Sequence, residues 1–397
     1  MTGTIMKKSS IAIILISVAL LTATRGYSQT SSGELNAIQT VVPFLTIAPD
    51  SRAGAMGDAG VATSPDIYSM HWNPAKFAFI DGKAGAGISY SPWLRNLVPD
   101  INIAYLSGYY RIDQKQVVSG SLIYSSLGDV DFTNDYGDLE RTFKPNEWSF
   151  DAAYSRMFTD NLSGGVAFRF IYSNLTGGFY SGGEATKAGT SFAADISAYY
   201  HKDITLFSKD ALMAFGVNFS NIGSKMNYSD SKTSDFIPMN MKLGTAFTVD
   251  LDQYNKICVT LDFNKLLVPT PPYYSSTKPD SIIAGKDPNV AVPVAIFQSF
   301  IDAPDGIMEE LREITYSAGA EYWYNNQFAL RAGYFHENET KGNRKYFTAG
   351  AGFRLRGFTL DFSYLMPLVQ NHPLARTLRF SLSFDITSFR STSTSRI

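Results

Sequence analysis

From about residue 84 onward, apolar side chains recur at every second position, in about fourteen separate runs. The last run is the cleanest: Leu378, Phe380, Leu382, Phe384 and Ile386 alternate with Arg379, Ser381, Ser383, Asp385 and Thr387. A period of two puts successive side chains on opposite faces of a strand, and no helix can sort residues in that way. The same alternation runs through Ala84, Ala86, Ile88 and Tyr90, then Ile101, Ile103, Tyr105, Ser107 and Tyr109. It returns in Val166, Phe168, Phe170 and Tyr172, and in Phe347, Ala349, Ala351, Phe353 and Leu355. Around Leu212 to Phe219 both faces are apolar, so the register there stays open. One apolar face repeated about fourteen times is what lipid selects. An even strand number lets the sheet close, leaving no unpaired edge in hydrocarbon. The expected fold is all-β: an antiparallel transmembrane β-barrel of about fourteen strands over residues 83–397.

The connections sort by length. Those after even-numbered strands are short, such as Asp113-Gln114, Thr159-Asp160, Asp203 to Asp210 and Asn325-Asn326. Those after odd-numbered strands are mostly longer, up to residues 264–313. Short turns on one rim and long loops on the other are the asymmetry of outer-membrane barrels. Aromatic residues make up 14% of the chain, which suits girdles at the two lipid interfaces. A net charge of −2 gives no field for nucleic acid. Residues 1–28 read as a secretory signal: Lys7 and Lys8, then a short apolar run from Ile11 to Leu21, then small and polar residues. Cys258 is the only cysteine, so no disulfide forms within the chain.

The stretch Thr40 to Ile80 breaks the pattern. Pro43, Pro49, Pro65 and Pro74 interrupt any regular element, while Gly54, Gly57 and Gly60 allow tight backbone approach. It nonetheless carries Phe44, Leu45, Met56, Trp72 and Phe77, which need burial. Residues 29–82 are therefore expected to plug the barrel, entering from the short-turn, periplasmic side. Charges opposite the apolar stripes should line the lumen: Asp151, Arg169, Asp195, Lys242, Asp262, Glu321, Arg331, Arg354, Asp361, Arg379 and Asp385. Asp50, Arg52, Gly54, Gly57 and Asp58 are the expected contacts from the plug, and Asn73-Pro74 the turn handing it to the first strand.

No catalytic, cofactor or metal constellation is visible. His71, His201, His336 and His372 are dispersed, and no nucleophile motif accompanies His336-Glu337. The loop 264–313 stands out instead. At roughly fifty residues it far exceeds ordinary connections, and loops of that size tend to be functional or disordered. Its apolar content argues for order, with Asp305 expected to cap a short helix through Arg312. Pro269, Pro271, Tyr273, Tyr274, Ile296, Phe297 and Phe300 are its candidate partner-docking residues.

A luminal segment ending in Asn73-Pro74-Ala75, followed by about fourteen strands, resembles the FadL family of outer-membrane transporters. Within that type, residues 41–79 resemble the N-terminal signature of the PorV (LptO) family of the type IX secretion system. The resemblance implies a non-enzymatic protein without cofactors. It implies binding of the C-terminal domains of translocated cargo, association with the SprA (Sov) translocon, and delivery to an attachment complex of the PorU sortase with PorQ and PorZ. Outer-membrane lipid and lipopolysaccharide are the implied surroundings, with the long loops extracellular. Two readings compete. FadL-like transport of a hydrophobic small molecule needs a mobile plug and a gap in the wall, which Gly120 could mark. An outer-membrane esterase needs a serine partner for His336.

Overall fold

The structure is a computed structural model. It describes residues 35–386 except 95–99, 134–135, 179, 182–183, 207, 230–233, 279 and 370–371. The leader-like residues 1–28 and the start of the expected plug lie outside the described residues.

Fourteen antiparallel strands close into one barrel. In chain order they are β1 Ala84–Pro92, β2 Ile101–Arg111, β3 Gln116–Leu127, β4 Asn146–Met157, β5 Leu162–Asn174, β6 Gly189–Leu206 and β7 Lys209–Gly223. They continue with β8 Asn240–Asp250, β9 Asn255–Leu266, β10 Thr315–Tyr324, β11 Phe328–His336, β12 Lys345–Leu355, β13 Phe358–Pro367 and β14 Leu378–Asp385. Closure is made by β1 on β14, from Gly85 opposite Asp385 to Tyr90 opposite Phe380. No helix among the described residues is long and apolar enough to cross a membrane.

Alternation places the faces. On β14 Phe380 is 45% exposed on the outer wall, while its neighbour Arg379 is 1% exposed inside. The open register of β7 resolves the same way: Ala214, Gly216, Asn218 and Ser220 point inward, and Phe215 and Val217 outward. A bulge follows, where Ile196 pairs with Phe219 but Ala194 with Ile222. The extra residue at that bulge lets Asn221 turn into the lumen with positive φ.

β2 departs from the expected pattern. Its stripe Ile103, Tyr105 and Tyr109 faces inward and is buried, while Leu106 and Tyr110 face outward. The inner face is apolar here because it packs on protein: Tyr105 meets Tyr68, and Tyr109 meets Phe77. Alternation alone cannot separate an outer stripe from an inner one when the lumen is filled. Strands β6 and β7 also run further than expected, β6 to Leu206 and β7 from Lys209.

Short connections lie on one rim, at 112–115, 158–161, 207–208, 251–254, 325–327 and 356–357. The other rim carries the long connections, including 128–145, 175–188, 224–239 and 267–314. Three of these fold small hairpins of their own: Val130–Thr133 with Leu139–Phe143, Tyr180–Ser181 with Glu184–Ala185, and Tyr273–Tyr274 with Ile282–Ala284.

Residues 35–83 run through the lumen, and the direction corrects the expectation. The first described residues sit at the long-loop rim, not the short-turn rim. Asn36 donates its backbone N–H to Thr340 (2.9 Å), and Val41 donates to Phe236 (3.1 Å), both in long connections. The chain then descends through a short helix α1, Ser51–Gly54, and α2, Ser69–Trp72. It reaches the short-turn rim at Ile80–Lys83, where β1 begins. Since β1 must rise from that rim, a segment that starts among the long loops has to cross the whole lumen. Nothing in residues 35–47 signals this in sequence.

The protein's core is this filled lumen. Phe44, Met56, Met70 and Phe77 are each no more than 1% exposed. Burial of each such side chain contributes roughly 1.5–3 kcal/mol.

Candidate functional site

The middle of the lumen is built around charges that answer one another. Asp50 precedes α1 and caps it, accepting from the Ala53 N–H at 2.9 Å, while its other oxygen takes the Trp72 indole N–H at 2.7 Å. Arg52, the second residue of α1, is clamped on two sides. Its guanidinium donates to Glu321 of β10 at 3.0 and 2.8 Å, and to Asp66 at 2.8 Å. Glu321 also receives Arg331 of β11, which reaches on to Asp361 of β13. A second network, Arg169 with Asp151 and Asp195, ties β5 to β4 and β6, and Arg169 also donates to Asn221 of the bulge. Asp262 of β9 receives the amides of Gly60 and Val61 at 2.7 and 2.9 Å. Each of these wall charges thereby fixes either another strand or the segment.

Asp58 accepts from the Tyr346 hydroxyl at 2.6 Å and stands 3.7 Å from the Arg379 guanidinium. Gly54 leaves room for that guanidinium: a Cβ there would lie 2.7 Å from Arg379 Nη1. Gly57 turns with φ of +70° against the wall, where Gly333 of β11 is bare enough to admit it. A Cβ on Gly333 would collide with the Met56–Gly57 backbone. Asn73 and Pro74 are not the handover turn. Asn73 caps a 3-10 helix, Pro74–Phe79, and donates to the carbonyls of Val61 and Ala198. The turn into β1 comes at Gly82, whose φ is +92°. Of the expected lumen charges, Arg354 is exposed near the short-turn rim, its guanidinium over Trp323, and Asp385 is half-buried at the end of β14.

The segment divides the lumen. On the short-turn side a cavity of about 990 Å3 is lined by Arg52, Phe79, Cys258, Trp323 and Arg354, among others. On the long-loop side a second cavity measures about 350 Å3.

The longest connection, 267–314, is ordered by a cluster of its own. It contains α3, Val292–Gln298, and α4, Ile307–Arg312. Gly306, with φ of +73°, begins α4, and Asp305 does not cap it; Asp305 instead accepts from the Tyr273 hydroxyl. The acidic face of α4 is fastened to the rim. Glu310 and Glu313 accept from Lys265 of β9 at 2.9 and 2.5 Å, and Glu309 and Glu313 from Lys341 at 2.6 and 3.0 Å. Asn36 of the luminal segment adds a bond to Glu309 at 2.9 Å. Burial opposes the charge of Glu309, yet the Lys341 ammonium holds its carboxyl below the ordinary range. Sequence reasoning missed this cluster; the signal was Glu309, Glu310 and Glu313 on a predicted helix, with no basic partner in the loop's own face.

The expected docking residues divide between two roles. Pro269 is buried, Pro271 and Tyr273 are half-buried, and Ile296 packs on the core, so these four help anchor the loop. Tyr274, Phe297 and Phe300 are exposed, Phe297 by 77%. They are joined at the surface by Val294, Ile301, Ile307, Met308 and Leu311. Of these, Phe300, Ile307 and Leu311 line one groove with Lys265 and Glu310 and with Leu243 and Phe263 of β8 and β9.

Among solved structures, the chain is similar to the Pseudomonas putida toluene transporter TodX, with 10% identity and a TM-score of 0.47, covering 88% of this chain and 98% of that one. It is similar also to the Ralstonia pickettii toluene transporter TbuX, with 12% identity and a TM-score of 0.43, covering 85% and 96%. A Pseudomonas aeruginosa FadL homologue gives 11% identity and a TM-score of 0.43, covering 88% and 99%. No curated protein sequence matches the chain. Residues 30–273 match the family described as type IX secretion system protein PorV, a match that takes in the luminal segment and the first nine strands. This closed fourteen-stranded barrel belongs to the PorV family of the type IX secretion system.

Proposed function

We propose that this protein receives secreted cargo at the outer membrane, holds its C-terminal signal domain on the long-loop face, and passes it from the SprA translocon to an attachment complex of PorU, PorQ and PorZ. The barrel is the scaffold of that task and not its conduit. The observation that carries the reading is the loop 267–314, whose exposed apolar face (Phe297, Ile301, Ile307, Met308 and Leu311) is held out by the Lys265–Glu310 and Lys341–Glu309 pairs. Exposed large apolar side chains on an ordered, charge-stapled loop are what a protein partner recognises. The luminal segment acts as a fixed plug, because wall glycines and paired charges key it in place. In this reading the long loops are extracellular.

Transport of a hydrophobic small molecule is the second reading, favoured by the cavities on either side of the segment. It needs an opening in the wall. Gly120 pairs in register with Gly108 and Ala152, so β3 has no break there.

The test is a mild-detergent pull-down of tagged protein from its own outer membrane, compared with the double variant Phe297→Ser, Ile301→Ser. Surface substitutions of this kind change stability by only about 0.5 kcal/mol or less. Wild type should bring down secreted proteins sharing a C-terminal domain, together with the translocon or the sortase. The variant should lose the cargo while keeping its fold. Equal recovery of cargo by both proteins, or recovery of the barrel with fatty acid alone, sinks the reading.

A further inference from the structure

The outward face of β9 ends on a charge. By alternation Lys265 lies on the same side as Val259, Leu261 and Phe263, while Cys258, Thr260 and Asp262 are buried on the lumen side. Across the ladder Lys265 stands opposite Met241, and Phe263 opposite Leu243, on the outer face of β8. An ammonium on the lipid-facing side of a barrel is costly unless it is covered. Here α4 covers it. Glu310 and Glu313 take the ammonium at 2.9 and 2.5 Å, and the Lys265 side chain is only 5% exposed. The staple therefore draws α4 over the outside of the wall.

Between α4 and that wall runs a groove of about 300 Å3. Its floor is Met241, Leu243 and Phe263, and its other side is Phe300 with Ile307 and Leu311, one turn apart on α4. Lys265 and Glu310 also line it, but neither asks anything of an occupant. Glu310 gives one oxygen to Lys265 and the other to the N–H groups of Asp302 and Ala303, at 2.8 and 2.9 Å. Lys265 has its two carboxylates, and the Phe300 ring lies 5.8 Å from its ammonium. A peptide in such a groove would bury amides without partners, whereas a bare alkyl chain loses nothing. The floor also continues down the same outer face into Leu261, Phe247 and Val259, all exposed on the wall. In an outer-membrane barrel that face belongs to lipid. The volume sits at the small end of ligand sites, roughly 300–1,000 Å3, which suits one chain.

We propose that this groove seats one acyl chain of a membrane lipid, from the leaflet on the long-loop side, between α4 and the outer ends of β8 and β9. The loop 267–314 then rides on the membrane as well as on its charge staple. The site lies outside the lumen, and neither Phe297 nor Ile301 lines it. This inference and the cargo reading can therefore fail separately.

The test uses the full protein in nanodiscs of dioleoyl phosphatidylcholine, doped with the same lipid carrying a diazirine midway along one acyl chain. After illumination, peptide mapping should place label on Ile307 or Leu311 of α4. Phe168 and Phe192, exposed on the outer wall of β5 and β6, serve as the internal reference for ordinary lipid contact. Leu243→Trp fills the floor of the groove, and should lower the label on α4 several-fold with the reference unchanged. Ile307→Trp fills it from the loop, and carries the same test at Leu311 if the strand variant folds poorly. Label on the reference with none on α4 would overturn the proposal. So would equal labelling of α4 in wild type and both variants, since α4 would then touch bulk lipid and hold no chain. Loss of cargo from Leu243→Trp in the pull-down, with α4 unlabelled in wild type, would give the groove to a protein partner instead.

Discussion

The luminal segment and the loop 267–314 are both proline-rich, irregular stretches of some fifty residues, yet they are stabilised in opposite ways. The segment borrows its order from the wall. Its amides donate to Asp262, Thr348 and Ser381, its carbonyls accept from Ser107, Ser155 and Ser163, and most of its apolar side chains from Phe44 to Phe77 are buried. The loop has no wall around it. It supplies its own two helices, spends its acidic residues on Lys265 and Lys341, and leaves its outer face uncovered. Enclosure gives irregular backbone partners in the wall and leaves little surface over. A rim loop has to be fastened on one side, and the other side stays available to a partner.

The sharpest way to break this comparison is at Arg52. Arg52→Ala leaves Glu321 and Asp66 without their shared partner, in a site where both Arg52 and Glu321 are almost fully buried. Removing one member of a buried pair costs about 3–5 kcal/mol. Because the barrel keeps its own ladder, the loss should fall on the segment. Trypsin should then cut within residues 50–83, and planar bilayers should show conductance absent from wild type. A closed, uncut lumen in the variant would mean that the bonds to Asp262, Thr348 and Ser381, with the packing on Gly333, suffice to hold the segment.

The second break is at Lys265. Lys265→Met removes two charge-assisted bonds to α4, at 2.9 and 2.5 Å, while Lys341 still holds Glu313. The expected loss is about 2–3 kcal/mol, confined to the loop. Hydrogen exchange should speed up across α3 and α4 and stay unchanged in β8 and β9. Global unfolding instead would show that the loop and barrel form one cooperative unit.

Much of the architecture was legible because lipid enforces a period of two. The clean alternation of β14 and the sorting of loop lengths both follow from that constraint. The inner face was less legible. β2 carries Tyr105 and Tyr109 inward because Tyr68 and Phe77 meet them, and no local pattern announces a partner distant in sequence. The charge cluster on α4 was hidden for the same reason, since Lys265 and Lys341 come from elements on either side of it. The direction of the segment is not legible because the contacts of Asn36 and Val41 lie with Thr340 and Phe236, in loops far away in sequence. Lys242 was visible as a lumen charge, but its seat over the Trp72 ring comes from a residue distant in sequence.

The smallest expected effect lies at Asp302, where the loop turns between α3 and α4. Burial, with Glu310 nearby, pushes its carboxyl from 3.8 up to about 6; one oxygen accepts from the Thr270 N–H at 3.3 Å and the other has no partner. The closed loop therefore favours protonated Asp302, whereas an opened loop releases the proton at the ordinary value. The contribution to closure is full below about pH 3.8 and is lost as pH rises through 6. Exchange around Asp302, corrected for intrinsic rates, should rise on the order of a few-fold across that window. Asp302→Asn keeps the neutral form and should flatten the profile while leaving the Lys265 staple intact. A wild-type profile that is already flat would mean that the Thr270 amide alone holds the turn and that the charge of Asp302 is tolerated in the closed loop.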